Sequence, residues 1–151
     1  MLGNFSYYNP TKLYFGDESL NFLKDELKGY GPVVLLNYGS GSVKRNGIYD
    51  QVVAILKEAG KTIVENPGVM TNPTLEKLHE GVKIARENEV DLILALGGGS
   101  AMDCAKAMVY FSGLEPLLVA IPTTSGSGSE VTDFAILTHN GVKHPLVDGR
   151  L

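Results

Sequence analysis

The most informative segment of the chain is Asp91-Leu-Ile-Leu-Ala-Leu-Gly97-Gly98-Gly99-Ser100-Ala-Met-Asp103-Cys-Ala-Lys106. Its first part, residues 92–96, is an uninterrupted apolar run, which is typical of a strand in a parallel sheet that is covered on both faces. Three consecutive glycines follow it. After them, apolar residues recur at helical spacing: Met102, Ala105, Met108 and Val109. The segment therefore predicts a buried strand, a tight turn and the N-terminus of a helix.

The turn formed by residues 97–100, called the glycine turn below, suits a phosphate group. The first N–H groups of a helix lack internal acceptors and carry the positive end of its dipole, and glycines let a pyrophosphate approach the backbone. The segment is not the G-x-G-x-x-G fingerprint, because Met102 stands where the third glycine belongs. A structural interpretation is compatible with the first: Ser100 and Asp103 have the spacing of a capping box at the helix start.

Strands alternate with amphipathic helices along most of the chain. Apolar runs predict strands at residues 32–36, 61–65, 92–96 and 117–121. Such βαβ units are right-handed, so the pattern predicts an α/β fold with a doubly wound, mostly parallel, Rossmann-like sheet. Three loops rich in Gly, Ser and Thr follow these strands and should share the carboxyl edge of the sheet, where ligands of such folds bind. The loops are residues 39–42, 97–100 and 123–129.

The two ends of the chain give further predictions. Residues 12–15 are apolar and aromatic enough for a short edge or hairpin strand, and a helix should then run from Asp17 to Gly29. Helices are also predicted before Gly60, and from Asn72-Pro73-Thr74 with Pro at the first helical position. A β-hairpin is predicted near the C-terminal end, lying over the carboxyl edge of the sheet where a nucleotide would bind. Its strands would be residues 131–138 and 142–147, joined by a His139-Asn140-Gly141 turn.

The composition excludes several classes of protein. Hydrophobic residues make up 44% of the 151, charged residues 20%, and the net charge is −4, which argues against disorder and against a nucleic-acid partner. There is no signal-peptide pattern and no apolar run of membrane-spanning length, so we expect a soluble, cytoplasmic protein without a membrane partner. Cys104, the single cysteine, is expected to be a small buried apolar residue.

Two motifs together resemble those of the iron-containing (group III) alcohol dehydrogenase family, in its butanol-dehydrogenase-like branch. They are Gly97-Gly-Gly-Ser-Ala-Met-Asp-Cys-Ala-Lys106 and Pro122-Thr-Thr-Ser-Gly-Ser-Gly-Ser-Glu130, and Asn72-Pro73 falls where the family has the same dipeptide. The resemblance runs over the whole chain but covers less than half of a typical member. It implies that residues 1–151 are an incomplete NAD(P)-binding domain and that the helical, metal-binding catalytic domain is absent.

The resemblance also implies roles in binding the dinucleotide. The pyrophosphate would be held by Gly98, Gly99, Ser100 and Asp103. The adenine and ribose side would be lined by Thr123, Thr124 and Ser127, where Ser127 replaces the usual Thr and keeps its hydroxyl. Asn72 would reach the nicotinamide half, and Thr132 and Lys143 would contribute from the hairpin. For Lys143, a solvated charge on the hairpin is an equally good interpretation.

The loop after the first strand bears on the choice between NADP and NAD. NAD-preferring relatives tend to place an acid seven residues before the glycine that matches Gly47, because a carboxylate accepts from the ribose 2′-OH and repels a 2′-phosphate. This chain has Ser40 at that place, after Gly39, with Lys44 and Arg45 nearby. We therefore expect NADP to bind at least as tightly as NAD.

The family's catalytic metal, iron or zinc, is held by an Asp and three His that lie beyond this sequence. His79, His139 and His144 lack the i, i+3 or i, i+4 spacing of a ligand pair. His79 is expected at the edge of the core, His139 in a turn and His144 on a surface strand. The resemblance thus implies hydride transfer between a nicotinamide and a small alcohol or aldehyde in the full enzyme, and no catalytic or metal residues in this chain.

Three functions remain open from the sequence. The first is the cofactor-binding domain of an alcohol or aldehyde oxidoreductase, either excised or encoded by a truncated gene. The second is a non-catalytic nucleotide-binding or assembly module that pairs with itself or a full-length partner. The third is a protein whose glycine turns are only structural. Because a missing domain would leave apolar surface exposed, we also expect a homo-oligomer.

Overall fold

Four parallel strands form the centre of the fold. The computed structural model describes residues 3–114 and 117–148. The strands lie in the order β2-β1-β3-β4, which confirms the predicted parallel sheet. Their bounds are β1 (Val33–Gly39), β2 (Thr62–Val69), β3 (Leu92–Gly97) and β4 (Leu117–Pro122). Strand β2 is longer than predicted, because it continues to Val69 beside β1.

The order in which successive strands are added to the sheet reverses between β1 and β3. These strands are neighbours, although β2 lies between them in sequence. Their carboxyl ends are level, since Tyr38 of β1 pairs with Leu96 of β3 and Gly97 pairs with Pro122 of β4. The loops after β1, β3 and β4 therefore lie at one edge, and the point where the strand order reverses is where ligands of such sheets bind.

Helices cover both faces of the sheet, as a doubly wound fold requires. Along β3, Leu92, Leu94 and Leu96 belong to one apolar core, while Ile93 and Ala95 belong to the other. All five are fully buried. The first core includes residues of α1–α3, and the second is shared with α4 and α5. The helix bounds are α1 (Leu23–Glu26), α2 (Ser42–Arg45), α3 (Ile48–Glu58), α4 (Leu75–Glu87) and α5 (Gly99–Ser112).

The N-terminal predictions need correction. Residues 12–15 are not a strand, and Phe15 is 97% exposed, because no strand within the described residues lies beside this segment. The helix predicted over residues 17–29 is instead α1 flanked by 3₁₀ turns at Ser19–Phe22 and Leu27–Gly29. Leu23 and Leu27 are nevertheless buried, so the apolar spacing identified the right residues.

Two other details differ from expectation. Pro73 is not the first residue of α4 but precedes its N-cap, Thr74, whose hydroxyl accepts from the Lys77 N–H at 3.3 Å. Threonine can cap a helix through its side chain, and proline cannot. Strand β4 was predicted to be buried, yet Leu117 is 45% exposed. The reason is that, within the described residues, β4 pairs only with β3 and forms an edge of the sheet.

The predicted C-terminal hairpin is confirmed. Strands β5 (Phe134–His139) and β6 (Val142–Val147) are antiparallel, and Asn140 and Gly141 both have positive φ, as a type I′ turn requires. Residues 129–131 form a 3₁₀ turn, so the first strand begins later than predicted. The hairpin packs against α5 and α4, and the Thr138 N–H donates to the Pro73 carbonyl at 2.8 Å. Within the described residues, no helix combines the length and apolar character needed to span a membrane.

Candidate functional site

The glycine turn lies at the carboxyl edge of the sheet, between β3 and α5. Gly97 has a φ of 151°, a conformation that favours glycine, and Gly98 is the N-cap of α5. The helix begins without a side-chain cap, so the capping-box interpretation is wrong. The Asp103 carboxylate accepts from Ser129 and Ile136, which are distant in sequence, and the Ser100 hydroxyl accepts from the Asn72 N–H. The 14-residue helix α5 thus begins at the carboxyl edge without a side-chain hydrogen bond to its N-cap turn.

The loop that follows β4, residues 123–129, lies against the glycine turn and is called the β4 loop below. The Thr123 N–H donates to the Gly97 carbonyl at 2.9 Å. A Cβ added to Gly98 would lie 3.5 Å from the Thr124 hydroxyl oxygen, and one added to Gly99 would lie 3.1 Å from the Ser127 Cβ. The structure therefore brings Thr123, Thr124 and Ser127 together with Gly98 and Gly99, as the sequence predicted.

Asn72 joins the same site from the segment before α4. Its φ of 55° is in the left-handed region, which asparagine tolerates better than most residues. Its backbone N–H donates to the Ser100 hydroxyl oxygen at 3.3 Å, and its side chain is exposed. The segment that carries Asn72 is therefore fixed beside the first turn of α5.

The loop after β1 supplies a different kind of surface. Gly39 ends β1, Ser40 is exposed, and Gly41 has a φ of 146°. A Cβ added to Gly41 would lie 3.2 Å from Nη1 of Arg45, so this guanidinium lies against the loop backbone. This part of the edge offers a hydroxyl and a cation, and a role for Ser40 in the choice between NADP and NAD stays a prediction.

A polar network lies next to this loop and joins β1, β2, α2 and α3. Sequence reasoning missed it. The Glu65 carboxylate accepts from the Tyr38 hydroxyl at 2.6 Å and from the Tyr49 hydroxyl at 2.5 Å, while the Lys44 ammonium lies over both rings. The two hydroxyls hold the pKa of Glu65 below its usual value. Burial, followed by the bond to Glu65, raises the pKa of Tyr38 to about 12. The partners come from separate elements, so no local spacing could have revealed them.

Asp103 and Thr132, both predicted to contact the cofactor, have protein partners. The Asp103 carboxylate accepts from the Ser129 hydroxyl at 2.7 Å and from the Ile136 N–H at 3.1 Å. The Thr132 carbonyl and hydroxyl accept from Lys106 at 2.8 and 3.2 Å. Burial lowers the pKa of Lys106. Sequence reasoning missed the roles of Lys106 and Ser129. The only sequence signal for them is that each lies within one of the two motifs.

Lys143 is exposed on β6, where it pairs with Thr138. That pairing places it at the turn end of the hairpin, close to the segment that carries Asn72, because Thr138 also forms a bridge to Thr74. The hairpin therefore lies against α4 and α5, with its turn end toward the Asn72 segment. A contact between Lys143 and a cofactor stays a prediction.

The histidines and the cysteine do not form a metal site. No group of three or more His, Cys, Asp or Glu suited to a metal occurs among residues 3–114 and 117–148. His139 and His144 are exposed, with ring centroids 6.4 Å apart, and His79 is exposed on α4 rather than at the edge of the core. Cys104 is fully buried, and burial raises its pKa to about 12, so it is a packing residue as expected.

Comparison with known proteins identifies the family of this chain. The family model described as iron-containing alcohol dehydrogenase matches residues 10–151. This chain belongs to the iron-containing alcohol dehydrogenase family. A probable NADH-dependent butanol dehydrogenase 2 of Bacillus subtilis is 54% identical over 105 residues, 70% of this chain and 27% of that protein. NADH-dependent butanol dehydrogenase A of Clostridium acetobutylicum is 41% identical over 152 residues, 90% of this chain and 39% of that protein.

The fold of this family member also matches a solved relative. The crystal structure of NADH-dependent butanol dehydrogenase A from Thermotoga maritima superposes with a TM-score of 0.86 at 34% identity, covering 97% of this chain and 42% of that one. The chain thus spans less than half the length of these relatives. Relatives named for NADH and relatives named for NADPH both occur in the family.

Proposed function

We propose that this chain binds a nicotinamide dinucleotide at the carboxyl edge of its sheet, as the nucleotide-binding part of a metal-dependent alcohol dehydrogenase or aldehyde reductase. The observation that carries the proposal is the uncapped N-terminus of α5, reached through two glycines and bordered by the hydroxyls of Thr124 and Ser127. A helix N-terminus of this kind binds anions through its free N–H groups and its dipole. Membership of the family supports the assignment.

Each part of the site has a task in this proposal. The backbone of Gly98, Gly99 and Ser100 would hold the pyrophosphate, because glycine leaves room for it and the helix dipole favours its charge. The hydroxyls of the β4 loop would bond to the adenosine half, and Asn72 would orient the nicotinamide half. A bound nicotinamide would supply hydride transfer. The protein's own contribution is to fix the dinucleotide in position beside the substrate.

Cofactor choice rests on the loop after β1. Ser40 in place of an acid and the guanidinium of Arg45 beside Gly41 both favour a 2′-phosphate. The two curated relatives described above are named for NADH, which argues for the opposite preference. We retain the expectation that NADP binds at least as tightly as NAD. Calorimetry with both dinucleotides tests it, and a tenfold or greater preference for NAD would contradict it.

We infer that the chain binds the cofactor without catalysing turnover. Residues 3–114 and 117–148 offer no set of metal ligands, so these residues do not fit the iron or zinc that polarises a substrate oxygen in this family. A small alcohol or aldehyde would be the substrate of the full enzyme, and the site for it would need residues outside this chain. A location in the cytoplasm stays a prediction.

The proposal is tested by titrating the purified chain with NADPH and NADH while following nicotinamide fluorescence. A parallel assay measures butyraldehyde reduction with added iron or zinc. We expect saturable binding and no turnover. Turnover would contradict the absence of a catalytic site, and no binding to either dinucleotide would overturn the proposed function.

A second proposal concerns self-association, and one observation favours it. The segment before the first helical turn exposes several large apolar side chains, with exposures between 66% and 97%: Phe5, Tyr7, Tyr8, Leu13 and Phe15. Large apolar side chains exposed close together in sequence can mark a surface that a partner covers. We therefore expect a homodimer or larger species. Sedimentation of the chain at high concentration tests this, and a clean monomer would contradict it.

A further inference from the structure

Asp103 lies in the second turn of α5, close to the glycine turn, but both of its carboxylate oxygens bond to the protein. Oδ1 accepts from the Ser129 hydroxyl at 2.7 Å, and Oδ2 accepts from the Ile136 N–H at 3.1 Å. These donors lie in the 3₁₀ turn after the β4 loop and in β5. A carboxylate also repels a phosphate. Asp103 is therefore better suited to hold two protein segments together than to hold a pyrophosphate.

Lys106, one helical turn further along α5, holds the same stretch of chain. Its side chain is only 2% exposed, and its ammonium donates to the Thr132 carbonyl, the Thr132 hydroxyl and the Phe134 carbonyl at 2.8, 3.2 and 3.0 Å. An ammonium has three donors, so all of them are used. Together, Asp103 and Lys106 fix residues 129–136 onto α5 at four places, namely Ser129, Thr132, Phe134 and Ile136.

The fixed stretch continues directly into the β4 loop. The Ser129 N–H donates to the Ser127 hydroxyl oxygen at 3.4 Å. Ser127 in turn is the residue closest to Gly99, since a Cβ added there would lie 3.1 Å from its Cβ. A continuous set of contacts thus runs from Asp103 through Ser129 and Ser127 to the glycine turn. These contacts link the two segments in addition to the bond from the Thr123 N–H to the Gly97 carbonyl.

We propose that Asp103 and Lys106 are positioning residues that set the separation between the β4 loop and the glycine turn, so that dinucleotide affinity depends on them although neither touches the dinucleotide. The proposal rests on the proposed function, because the effect is read as affinity. It differs from direct contact in what it predicts for substitutions. A change that keeps the hydrogen bonds of Asp103 but removes its charge should be tolerated, whereas a change in its partner Ser129 should not.

Three variants of the chain separate these cases. Ser129→Ala removes one bond to Asp103 and should weaken NADPH binding about fivefold, the size expected for one lost hydrogen bond. Asp103→Asn can still accept from Ile136 and can donate to the Ser129 oxygen, so its Kd should stay within about twofold of the wild type. Ser112→Ala is the matched control, because Ser112 makes similar bonds to Val109 and Leu114 at the far end of α5. It should change stability but not affinity.

Hydrogen exchange gives a readout that does not need the cofactor. Exchange over residues 123–129 should be faster in Ser129→Ala than in the wild type and unchanged in Ser112→Ala. If the wild type and Ser129→Ala bind NADPH equally well, the positioning role is overturned, while the proposed function stands. Loss of binding in Asp103→Asn with normal exchange would overturn it too, in favour of direct contact. If the wild type binds neither dinucleotide, the proposed function itself fails.

Discussion

The two ends of the β1–β3 strand pair use glycine for different reasons. At the amino end, a Cβ on Gly31 would lie 2.3 Å from the Asp91 carboxyl carbon, and that carboxylate accepts from the Val33 N–H at 2.9 Å. At the carboxyl end, the nearest atom to a Cβ on Gly98 would be the Thr124 hydroxyl oxygen, at 3.5 Å. The first glycine is required by packing within the protein. At the second, a Cβ would make only ordinary van der Waals contact, so packing within the protein does not require glycine there.

The largest expected effect is on stability, at the amino end. Gly31→Ala would push the Asp91 side chain from its place and break its bond to Val33. We expect the free energy of unfolding to fall by about 2 kcal/mol, or roughly thirtyfold in the folding equilibrium, with no change in dinucleotide affinity. Urea denaturation measures it. Gly29→Ala is the control, because a Cβ there would meet nothing within 4 Å. Equal stability of the two variants would contradict the packing explanation.

The reverse result is expected at the carboxyl end. Gly98→Ala places a methyl group in ordinary contact with Thr124, and its φ of −85° suits alanine. Stability should therefore change little. Dinucleotide affinity should fall about twentyfold, because the methyl group occupies the approach of the pyrophosphate to the N-terminus of α5. Fluorescence titration with NADPH measures it. Unchanged affinity in this variant would show that no phosphate lies against Gly98.

The loop after β1 extends the comparison. A change there should alter the preference for NADP over NAD, whereas a change at the glycine turn should weaken the binding of both. Ser40→Asp introduces a carboxylate where a 2′-phosphate would lie. The ratio of NADPH to NADH affinity should fall about tenfold, because the phosphate is repelled and the ribose hydroxyls are not. Calorimetry with both dinucleotides measures the ratio. Ser19→Asp serves as the control, because Ser19 is half-buried in the 3₁₀ turn at Ser19–Phe22, far from this edge in sequence.

The smallest expected effect concerns the network under that loop. Glu65→Gln keeps a hydrogen-bond acceptor but loses the charge that Tyr38 and Tyr49 stabilise, so stability at pH 7 should fall by about 1 kcal/mol. The pKa of Glu65 is lower in the folded state, so its contribution is complete above the unfolded pKa of about 4.3 and is lost as pH falls through the folded pKa. Urea denaturation should therefore show the two proteins converging in acid. A gap that is independent of pH would exclude this role.

Much of the fold follows from local sequence. Strand β3 and the first four residues of β1 are apolar, because both faces of the sheet are covered. The Asn140-Gly141 pair predicts the hairpin turn, since both residues accept positive φ. The Gly98 and Gly99 positions were also predictable, because the change from an apolar run to helical spacing fixes where the turn must lie.

The remaining features depend on partners that are distant in sequence. Asp103 resembled a capping residue, but it bonds to Ser129 and Ile136, 26 and 33 residues away. Residues 12–15 have the apolar character of a strand, but pairing requires a neighbouring strand, which the described part of the chain does not provide. Nothing in the sequence of β2 distinguishes Glu65 from an ordinary exposed acid. Its partners become visible only when α2 and α3 pack beside the strand.

The most direct test of the contrast between the two ends is amide chemical shift mapping of the ¹⁵N-labelled chain during titration with NADPH. We predict shifts for Gly98, Gly99 and Ser100 and for the loop after β1, with none at Gly31 or Asp91. Shifts confined to the amino end, or no shifts at saturating NADPH, would contradict the assignment of the carboxyl edge as the dinucleotide site.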